Sequence, residues 1–284
     1  MNSFDSRYYP LKRKFPARSK KFMRDRELAE QCIKISGSRL IVKKIMFPVA
    51  NTANAGKKIV FISDWHWHDS AGNRQTLQEF IRFMENYSPD FLLLGGDMCD
   101  DADTLSSLPE LLKQLRLLAP QVLAVNGNWE SGKRWLGADF FAGIYRDNGI
   151  IFLENSSWRS GNLRFTGLPD ISSINFRNIL PPPEETGVTD ILLTHSPDGV
   201  VASDKNGFLK NFSLALCGHT HGGQVRLPLI GPLYCPGSYG RKFARGIFSR
   251  QGYKLKMLVS SGIGEHNGTF RFLCPPEIIA LELV

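Results

Sequence analysis

The chain has 284 residues, of which 42% are hydrophobic and 11% aromatic. This composition excludes a disordered or collagen-like chain and is sufficient for one large domain or two small ones. The formal charge of +8 is uneven, because residues 1–50 hold 13 Lys and Arg against 4 Asp and Glu, whereas the other 234 residues hold 22 against 23. A near-neutral main domain argues against a long nucleic-acid track, so nucleic acid is not the expected partner.

The N-terminal segment differs in composition from the rest of the chain. Residues 1–38 mix basic residues with aromatics and prolines, and they predict an irregular arm that ends in a short helix near residues 24–34. A single domain over residues 39–284 is expected to follow. Basic and aromatic side chains are interleaved in residues 7–26, and this pattern favours binding to an anionic membrane surface. Each basic residue near such a surface contributes about 1 kcal/mol of binding free energy. The alternative is a solvated tail.

Beyond residue 39 apolar runs alternate with helical stripes. KIVFIS (58–63), FLLLG (91–95) and QVLAV (121–125) predict buried strands. Apolar residues at i, i+3, i+4 and i+7 predict amphipathic helices at RQTLQEFIRFMENY (74–87) and PELLKQLRLL (109–118). This β-α-β-α-β order implies a parallel sheet with right-handed crossovers.

The second half of the chain is richer in predicted strands. They are IIFLE (150–154), LRFTGL (163–168), DILLTH (190–195), LALCGH (214–219), KLKMLVSS (254–261) and EIIALEL (277–283). ILPPPEET (179–186) predicts a surface connection. One α/β domain with two sheets is the simplest arrangement that accommodates these elements.

Cysteine usage and hydropathy both bear on the compartment. The five cysteines stand far apart and form no CxxC pair: Cys32, Cys99, Cys217, Cys235 and Cys274. An odd number at scattered positions is typical of free thiols in a reducing environment. The first 38 residues contain no apolar run of signal-peptide length, and no stretch approaches the ~20 apolar residues of a membrane span. We therefore expect a cytoplasmic protein, peripheral to a membrane if the arm binds one.

Polar side chains follow five of the predicted strands, where each strand ends. They are Asp64 and His66, Asp97, Asn128, His195, and His219 with His221. Ligands bind at this edge in open α/β sheets. Asp64, Asp97 and Asn128 are separated by 33 and 31 residues, each about one βαβ unit, so these three strand ends should lie side by side.

Two carboxylates, one amide oxygen and four imidazoles exceed the needs of one tetrahedral ion. They suffice for two ions that share a bridging carboxylate. A mixed nitrogen and oxygen set without thiolate favours two divalent first-row ions, Mn, Fe or Zn, over Ca or Mg. The alternative is a set of unrelated caps and turns, which a single GD or GN motif would favour, whereas five motifs in this order favour a metal site.

Short motifs at these strand ends resemble those of a known family. The motifs are DWH (64–66), GGD (95–97), GNWE (127–130), THSP (194–197) and GHTHGG (218–223). In this order they resemble the motifs of the metallophosphoesterases, the calcineurin-like phosphohydrolases, over roughly residues 58–284. GHTHGGQVRLPLIGP (218–232) with YGRKFARG (239–246) is similar to the YkuE-like branch. That branch includes UDP-2,3-diacylglucosamine pyrophosphatases of lipid A synthesis.

The resemblance implies a fold, a ligand set and a reaction. The implied fold is a two-sheet sandwich flanked by helices, in four layers α/β/β/α. The implied metal ligands are Asp64, His66 and His221 for one ion and Asn128, His195 and His219 for the other, with Asp97 bridging both. The implied reaction is hydrolysis of a phosphoric ester or anhydride by metal-bound hydroxide, with manganese among the expected metals. Arg241, Lys242 and Arg245 are candidate substrate-binding residues.

Trp129 departs from the family pattern. Most relatives have a histidine there, which donates a proton to the leaving oxygen, and an indole cannot do so. A positioned general acid typically raises the reaction rate by about 10²–10⁴-fold. It matters least when the leaving group is a phosphate, whose second pKa is about 6. Trp129 therefore favours cleavage of a pyrophosphate, unless it only packs and His68 or His266 supplies the acid.

The expected protein is a dimetal pyrophosphatase or phosphodiesterase that acts on a phosphorylated small molecule. The favoured substrate is a lipid-linked or nucleotide diphosphate such as UDP-2,3-diacylglucosamine. The alternatives are a general nucleotide or nucleic-acid phosphodiesterase and a non-catalytic metal-binding scaffold. A scaffold of that kind would have lost ligands, whereas all seven are present. Acyl chains of a lipid would need a surface on the arm at residues 7–26 or on residues 226–250.

Overall fold

The computed structural model describes residues 16–34, 39–49, 51–100, 102–133, 136, 139–173, 176, 185–265 and 270–284. Three predictions fall at least partly outside these residues: the arm before residue 16, most of the surface connection at 179–186, and the candidate acid His266.

The helices and strands follow one another along the chain in a mixed order. They are α1 (Pro16–Ser19), β1 (Phe22–Arg24), β2 (Glu30–Lys34), β3 (Ile41–Phe47), β4 (Lys58–Ile62), α2 (Ala71–Tyr87), β5 (Phe91–Leu94), α3 (Ala102–Leu105), α4 (Leu108–Arg116), β6 (Gln121–Ala124), α5 (Asn128–Gly132), α6 (Phe140–Asp147), β7 (Ile151–Phe152), β8 (Ser156–Ser160), β9 (Leu163–Gly167), β10 (Thr189–Leu193), α7 (Pro197–Ser203), β11 (Phe212–Cys217), β12 (Arg226–Leu227), β13 (Gly231–Pro232), β14 (Gly246–Arg250), β15 (Lys256–Val259) and β16 (Glu277–Leu283). The nine strands and two helices predicted from residue 58 onward are confirmed, with ends that shift by at most three residues.

Two seven-stranded sheets organise the chain. The first sheet has the order β2-β3-β16-β4-β5-β6-β7, and the second has the order β1-β14-β15-β11-β10-β9-β8. Strands β4 to β7 are parallel neighbours, as are β9, β10, β11 and β15. The predicted parallel sheet built by β-α-β-α-β crossovers is therefore confirmed.

Strand β4 shows why the predicted strands are continuous apolar runs. Its Ile59 and Phe61 side chains join the core between the sheets, while Val60 and Ile62 join the core under the helices. A strand that is buried on both faces has no polar face to present.

Helices cover the outer faces of both sheets. Helices α2, α4 and α6 pack on the first sheet, and α7 packs on the second through Val200 and Val201. The four-layer α/β/β/α sandwich is therefore confirmed.

The helix predicted near residues 24–34 is wrong. This segment holds β1, which pairs antiparallel with β14, and β2, which pairs antiparallel with β3. The open edges of the two sheets offer unpaired backbone groups, and pairing with them outweighs the local helix propensity. The domain division at residue 38 stays a prediction, although the segment 22–34 adds one edge strand to each sheet.

All five cysteines are free thiols, as the scattered spacing predicted. Cys99, Cys217 and Cys274 are buried, whereas Cys32 is exposed. Within the described part of the chain, no helix is both long and apolar enough to cross a membrane.

Pairing of β1 with the second sheet can be tested by core truncation. Phe22 is fully buried and contacts Phe243 edge to face, with 6.0 Å between ring centroids. Phe22→Ala should lower the free energy of unfolding by about 3–5 kcal/mol, measured by urea denaturation. Met23→Ala, on the exposed face of the same strand, should change it by less than about 0.5 kcal/mol. A small effect from both variants would contradict the pairing.

Candidate metal centre

The carboxyl ends of strands from both sheets meet at one edge of the sandwich. Asp64 and His66 follow β4, Asp97 follows β5 and Asn128 follows β6, while His195 follows β10 and His219 with His221 follow β11. The structure brings these seven side chains together in two adjoining groups. Their adjacency agrees with the expectation from the spacing of the motifs.

The first group contains Asp64, His66 and His221. One potential ligand atom from each lies within 4.8 Å of the others, and all three residues are buried. The Nε2 atoms of His66 and His221 are 3.0 Å apart, and the two rings stack with centroids 4.9 Å apart. Nε2 of His221 lies 3.6 Å from a carboxylate oxygen of Asp64. One carboxylate and two imidazoles therefore face a common point.

The second group contains Asp97, His195 and His219, again with ligand atoms within 4.8 Å of one another. Nε2 of His195 is 3.1 Å from an oxygen of Asp97 and 3.2 Å from Nδ1 of His219. The amide oxygen of Asn128 is 3.0 Å from the same Nε2 atom. The neutral amide oxygen of Asn128 thus lies against this group, and its role as a ligand stays a prediction.

Asp64 of the first group also contacts residues of the second group. The backbone N–H of His219 donates to both oxygens of Asp64, at 2.9 and 3.0 Å, and Asp64 lies 4.0 Å from Nε2 of His195. Carboxylates and imidazoles without thiolate suit first-row divalent ions, so the donor set fits two such ions side by side.

Five of these side chains start from strained backbone. Asp64, His66, Asp97, His219 and His221 have φ between 50° and 70°, in the left-handed region that non-glycine residues seldom adopt. Such conformations cost of order 1–3 kcal/mol each and persist only where the surroundings enforce them. The backbone conformation at the strand ends therefore directs these side chains toward the site.

Two glycines permit the close approach of the strand ends. A Cβ atom on Gly127 would lie 2.0 Å from an oxygen of Asp97. A Cβ atom on Gly218 would lie 2.2 Å from Oγ of Ser63 and 2.3 Å from an oxygen of Asp64. Any side chain at either position would push a carboxylate out of its group.

Hydrogen bonds on the far side of two imidazoles fix their orientation. Nδ1 of His195 lies 2.8 Å from the carbonyl oxygen of Gly95, which leaves Nε2 for the site. Nδ1 of His66 contacts a carboxylate oxygen of Asp100. Such outer partners hold a ligand histidine in one tautomer. Asp100 carries no sequence signal of this role, because no motif distinguishes it from the neighbouring acids of DDAD (100–103).

Glu130 is a second residue that supports the site without belonging to the predicted ligand set. Its buried carboxylate accepts hydrogen bonds from the backbone N–H groups of Asp97 (2.9 Å), Met98 (2.7 Å) and Gly127 (2.8 Å). It therefore ties the end of β5 to the end of β6. A carboxylate three residues after the start of a helix is a capping signal, and that signal is readable in GNWE.

Arg271 stabilises the loop after β15, and no sequence motif indicates this role. Its guanidinium donates to the carbonyl oxygens of Gly264 (2.9 Å), Ser261 (2.8 Å), Gly262 (3.2 Å), Cys274 (3.3 Å) and His221 (3.4 Å). Five carbonyls on one guanidinium fix the loop after β15 against the segment that carries His221.

The electrostatics of the site favour a cation. Burial raises the pKa of the Asp64 carboxyl. Burial alone would also raise the pKa of Asp97, but the charge of His195 holds it well below its usual range. Asp97 in turn raises the pKa of His195 well above its usual range, against the effect of burial. The charge of Asp97 contributes to the raised pKa of Asp64, so the two buried carboxylates repel each other, and a bound cation would relieve this repulsion.

Trp129 adjoins both groups. Its backbone N–H donates to an oxygen of Asp97 at 2.9 Å, and its ring meets the His66 ring edge to face at 6.2 Å between centroids. Nζ of Lys133 lies 5.2 Å from the centroid of the indole ring. His68 is exposed, with Nδ1 3.2 Å from the carbonyl oxygen of His66 and 3.1 Å from the amide nitrogen of Asn73.

The candidate substrate-binding residues lie in the segment before β14. Arg241 donates to the carbonyl oxygen of Leu233 at 3.2 Å, and Lys242 donates to that of Ser19. Arg245 lies 3.9 Å from Sγ of Cys274, which itself donates to the carbonyl oxygen of His221. Among the three, Arg245 is thereby connected to the segment that carries His221, and the role of all three stays a prediction.

The chain is similar in sequence to a known family and to several known proteins. The sequence model of the calcineurin-like phosphoesterase family matches residues 57–223. The uncharacterized metallophosphoesterase YkuE of Bacillus subtilis is 29% identical over 237 residues, which cover 80% of this chain and 79% of that protein. Phosphodiesterase YaeI of Escherichia coli is 29% identical over 236 residues, which cover 80% of this chain and 82% of that protein. A dimetal phosphatase from Danio rerio aligns with 73% of this chain and 88% of its own, at 11% identity and a TM-score of 0.47.

The family match spans more than half of the chain and includes both groups described above, from Asp64 to His221. The two bacterial relatives extend the sequence similarity to four fifths of the chain. The chain therefore belongs to the calcineurin-like phosphoesterase family and is a metal-dependent phosphoester hydrolase.

Proposed function

We propose that this protein hydrolyses the phosphoric anhydride bond of a nucleotide or lipid-linked diphosphate, with two divalent first-row ions as cofactors. Trp129 carries this proposal, since it occupies the position where an acid would assist an alkoxide leaving group. The diphosphate of a UDP-linked acylated sugar is one substrate of this class. Manganese, iron and zinc all suit the ligand set.

Two groups of side chains would hold the ions. Asp64, His66 and His221 would bind one, and Asn128, His195 and His219 would bind the other, with Asp97 reaching both. When bound, a pair of divalent ions neutralises phosphate oxygens and lowers the pKa of water. The remaining contributions come from the chain itself.

The ligand residues also set the charge that an incoming phosphate meets. Asn128 contributes an oxygen without a further negative charge, which limits repulsion of the substrate. His195 is held by Gly95, so its Nε2 atom keeps the orientation that the site requires. Phosphoryl transfer depends mainly on positioning and charge neutralisation, and the orientation of these side chains supports the first of the two.

The surroundings of Trp129 support the anhydride as the bond that is cut. The ring adjoins His66, whose Nδ1 atom is engaged by Asp100, and the amine of Lys133, which donates to the carbonyl oxygens of Asp100 and Trp129. A phosphate leaving group needs no proton at neutral pH, so an indole at this position does not prevent its departure.

A second candidate function is general phosphodiester hydrolysis. The relative from Escherichia coli is named a phosphodiesterase, and His68 lies two residues beyond His66 as a candidate acid. Its ring is exposed and lies beside Asn73 at the start of α2. A non-catalytic scaffold is disfavoured because all seven candidate ligands are present. The two hydrolytic functions differ in whether an alkyl phosphodiester is a good substrate.

Asp97 is expected to serve both ions. Purified protein should contain close to two first-row ions per chain, measured by elemental analysis. Asp97→Ala should lose both, because it removes the shared ligand. Asp69→Ala, which removes an exposed carboxylate near the site, should retain both. Retention of one ion by Asp97→Ala would show that Asp97 serves a single site, and wild-type protein with fewer than two ions would overturn the two-ion proposal.

Substitution of Trp129 tests the choice of leaving group. Wild-type, metal-loaded protein should have a much higher kcat/KM for a UDP-linked diphosphate than for an unactivated alkyl phosphodiester. Trp129→His should raise phosphodiester turnover by up to about 10²-fold, because it restores a proton donor at the leaving oxygen. The measurement is kcat/KM for both substrates with each protein.

Trp129→Phe is the matched control, since it keeps an aromatic ring and adds no acid. It should leave the ratio between the two substrates unchanged. Efficient cleavage of the alkyl phosphodiester by the wild type would place the acid elsewhere and favour the second candidate function, with His68→Ala as the next variant.

A further inference from the structure

A large apolar surface lies beside the metal centre. Seven of the eleven exposed large hydrophobic residues in the described part of the chain fall into two neighbouring segments: Leu229, Ile230, Leu233, Tyr234, Phe270, Phe272 and Leu273. We call residues 229–234 and 270–273 the apolar platform. Leu229 is fully exposed, and Ile230 is 60% exposed, at the tip of the hairpin formed by β12 and β13. Soluble proteins seldom leave so many large apolar side chains together in water.

Backbone hydrogen bonds join the two segments into one surface. The N–H of Arg226 donates to Phe272 at 3.0 Å, and the N–H of Phe272 donates to Gln224 at 3.0 Å. The N–H of Leu233 donates to Val225 at 3.1 Å, which closes the base of the hairpin. The two segments of the platform are therefore held together by backbone hydrogen bonds.

The stretch of chain that contains the platform hairpin carries charge of one sign. Residues 205–264 contain nine Lys and Arg and no Asp or Glu. Arg250 pairs with Asp204, and Lys256 pairs with Asp25. The cations of this stretch that lie at or beside the hairpin make no ion pair with a carboxylate among the described residues: Arg226, Arg241, Lys242 and Arg245. We call these four residues the basic rim.

The basic rim borders the platform directly. Arg241 donates to the carbonyl oxygen of Leu233, and Arg226 is the first residue of β12. Burial, together with repulsion from Arg245, lowers the pKa of Arg226. Cations that crowd together without acidic partners attract an anionic counterpart.

We infer that the apolar platform and its basic rim bind the surface of an anionic lipid bilayer. Apolar side chains at the tip would enter the boundary between headgroups and acyl chains, and the rim would contact lipid phosphates. A protein partner is disfavoured, because protein interfaces usually pair charges of both signs. Residues 205–264 offer cations and no acidic side chains for such pairing. This inference does not depend on the proposed substrate, since it concerns binding and not turnover.

The metal centre lies next to this surface. The N–H of Gln224 donates to the carbonyl oxygen of His221 at 2.9 Å, and the guanidinium of Arg226 donates to Gly222 at 2.6 Å. Along the chain, the turn at 222–224 and β12 separate His221 from the platform hairpin. A docked bilayer would hold lipid phosphates close to the site.

The described end of the N-terminal segment adjoins the same rim. Lys242 donates to the carbonyl oxygen of Ser19, and Arg24 donates to that of Arg245. Basic residues of this segment can therefore add to the same electrostatic attraction. The platform differs from the segment in contributing apolar contact, so the two contributions can be measured separately.

Flotation with vesicles tests the apolar contact. Full-length wild type should bind phosphatidylcholine vesicles that contain phosphatidylglycerol, and binding should weaken as salt is raised. Leu229→Ser with Ile230→Ser should reduce the vesicle partition coefficient by more than about tenfold, because two inserted apolar side chains are lost. Leu117→Ser removes another exposed leucine, after α4, and should leave binding unchanged. Both proteins should keep wild-type metal content and unfolding midpoint.

A second pair of variants tests the charge. Arg241→Gln with Lys242→Gln should lower binding to phosphatidylglycerol vesicles and reduce its salt dependence. Arg82→Gln with Lys113→Gln removes two exposed cations from the helices on the first sheet and should have little effect.

Three outcomes would overturn the inference. Vesicle binding of the Leu229 and Ile230 double variant equal to that of the wild type would assign any binding to other residues. Absence of wild-type binding would exclude a lipid surface. A smaller sedimentation coefficient of the double variant, with unchanged vesicle binding, would show that the platform joins two copies of the chain.

Discussion

The hydrogen bonds from the backbone N–H of His219 to the carboxylate of Asp64 connect the two sheets at the edge where the site forms. Each sheet carries part of the ligand set, so the site exists only while the sandwich holds the two edges together. Gly218 leaves no side chain between these edges, and the left-handed backbone at Asp64 and His219 turns both side chains toward the gap. The apolar core between the sheets thereby sets the precision of the centre.

An outer layer of polar residues supports the candidate ligands. Glu130 connects the ends of β5 and β6, Arg271 binds five carbonyl groups around the last loops, and Asp100 and Gly95 orient imidazoles. Each of these groups is engaged with the backbone or with a ligand. Buried networks of this kind hold a site rigid, and they become costly when one member is removed.

Charge is distributed along the chain in blocks, although the domain is nearly neutral as a whole. Residues 205–264 carry only positive charge, whereas the rest of residues 51–284 holds 13 Lys and Arg against 23 Asp and Glu. The positive block surrounds the platform hairpin. A molecule with this asymmetry is oriented by an anionic surface before contact. The net charge of residues 51–284 is close to zero, so it does not reveal this division.

The sequence by itself determined the strands from residue 58 onward and the identity of the polar residues at their ends. Both follow from local patterns: apolar runs such as KIVFIS mark strands buried on two faces, and a parallel order places their carboxyl ends at one edge. The tertiary structure alone decided that residues 22–34 form edge strands, because β1 pairs with β14, which lies near the other end of the chain. It likewise decided the roles of Asp100 and Arg271 and the exposure of Leu229 and Phe272, since partners and burial are properties of the folded chain and leave no periodicity in the sequence.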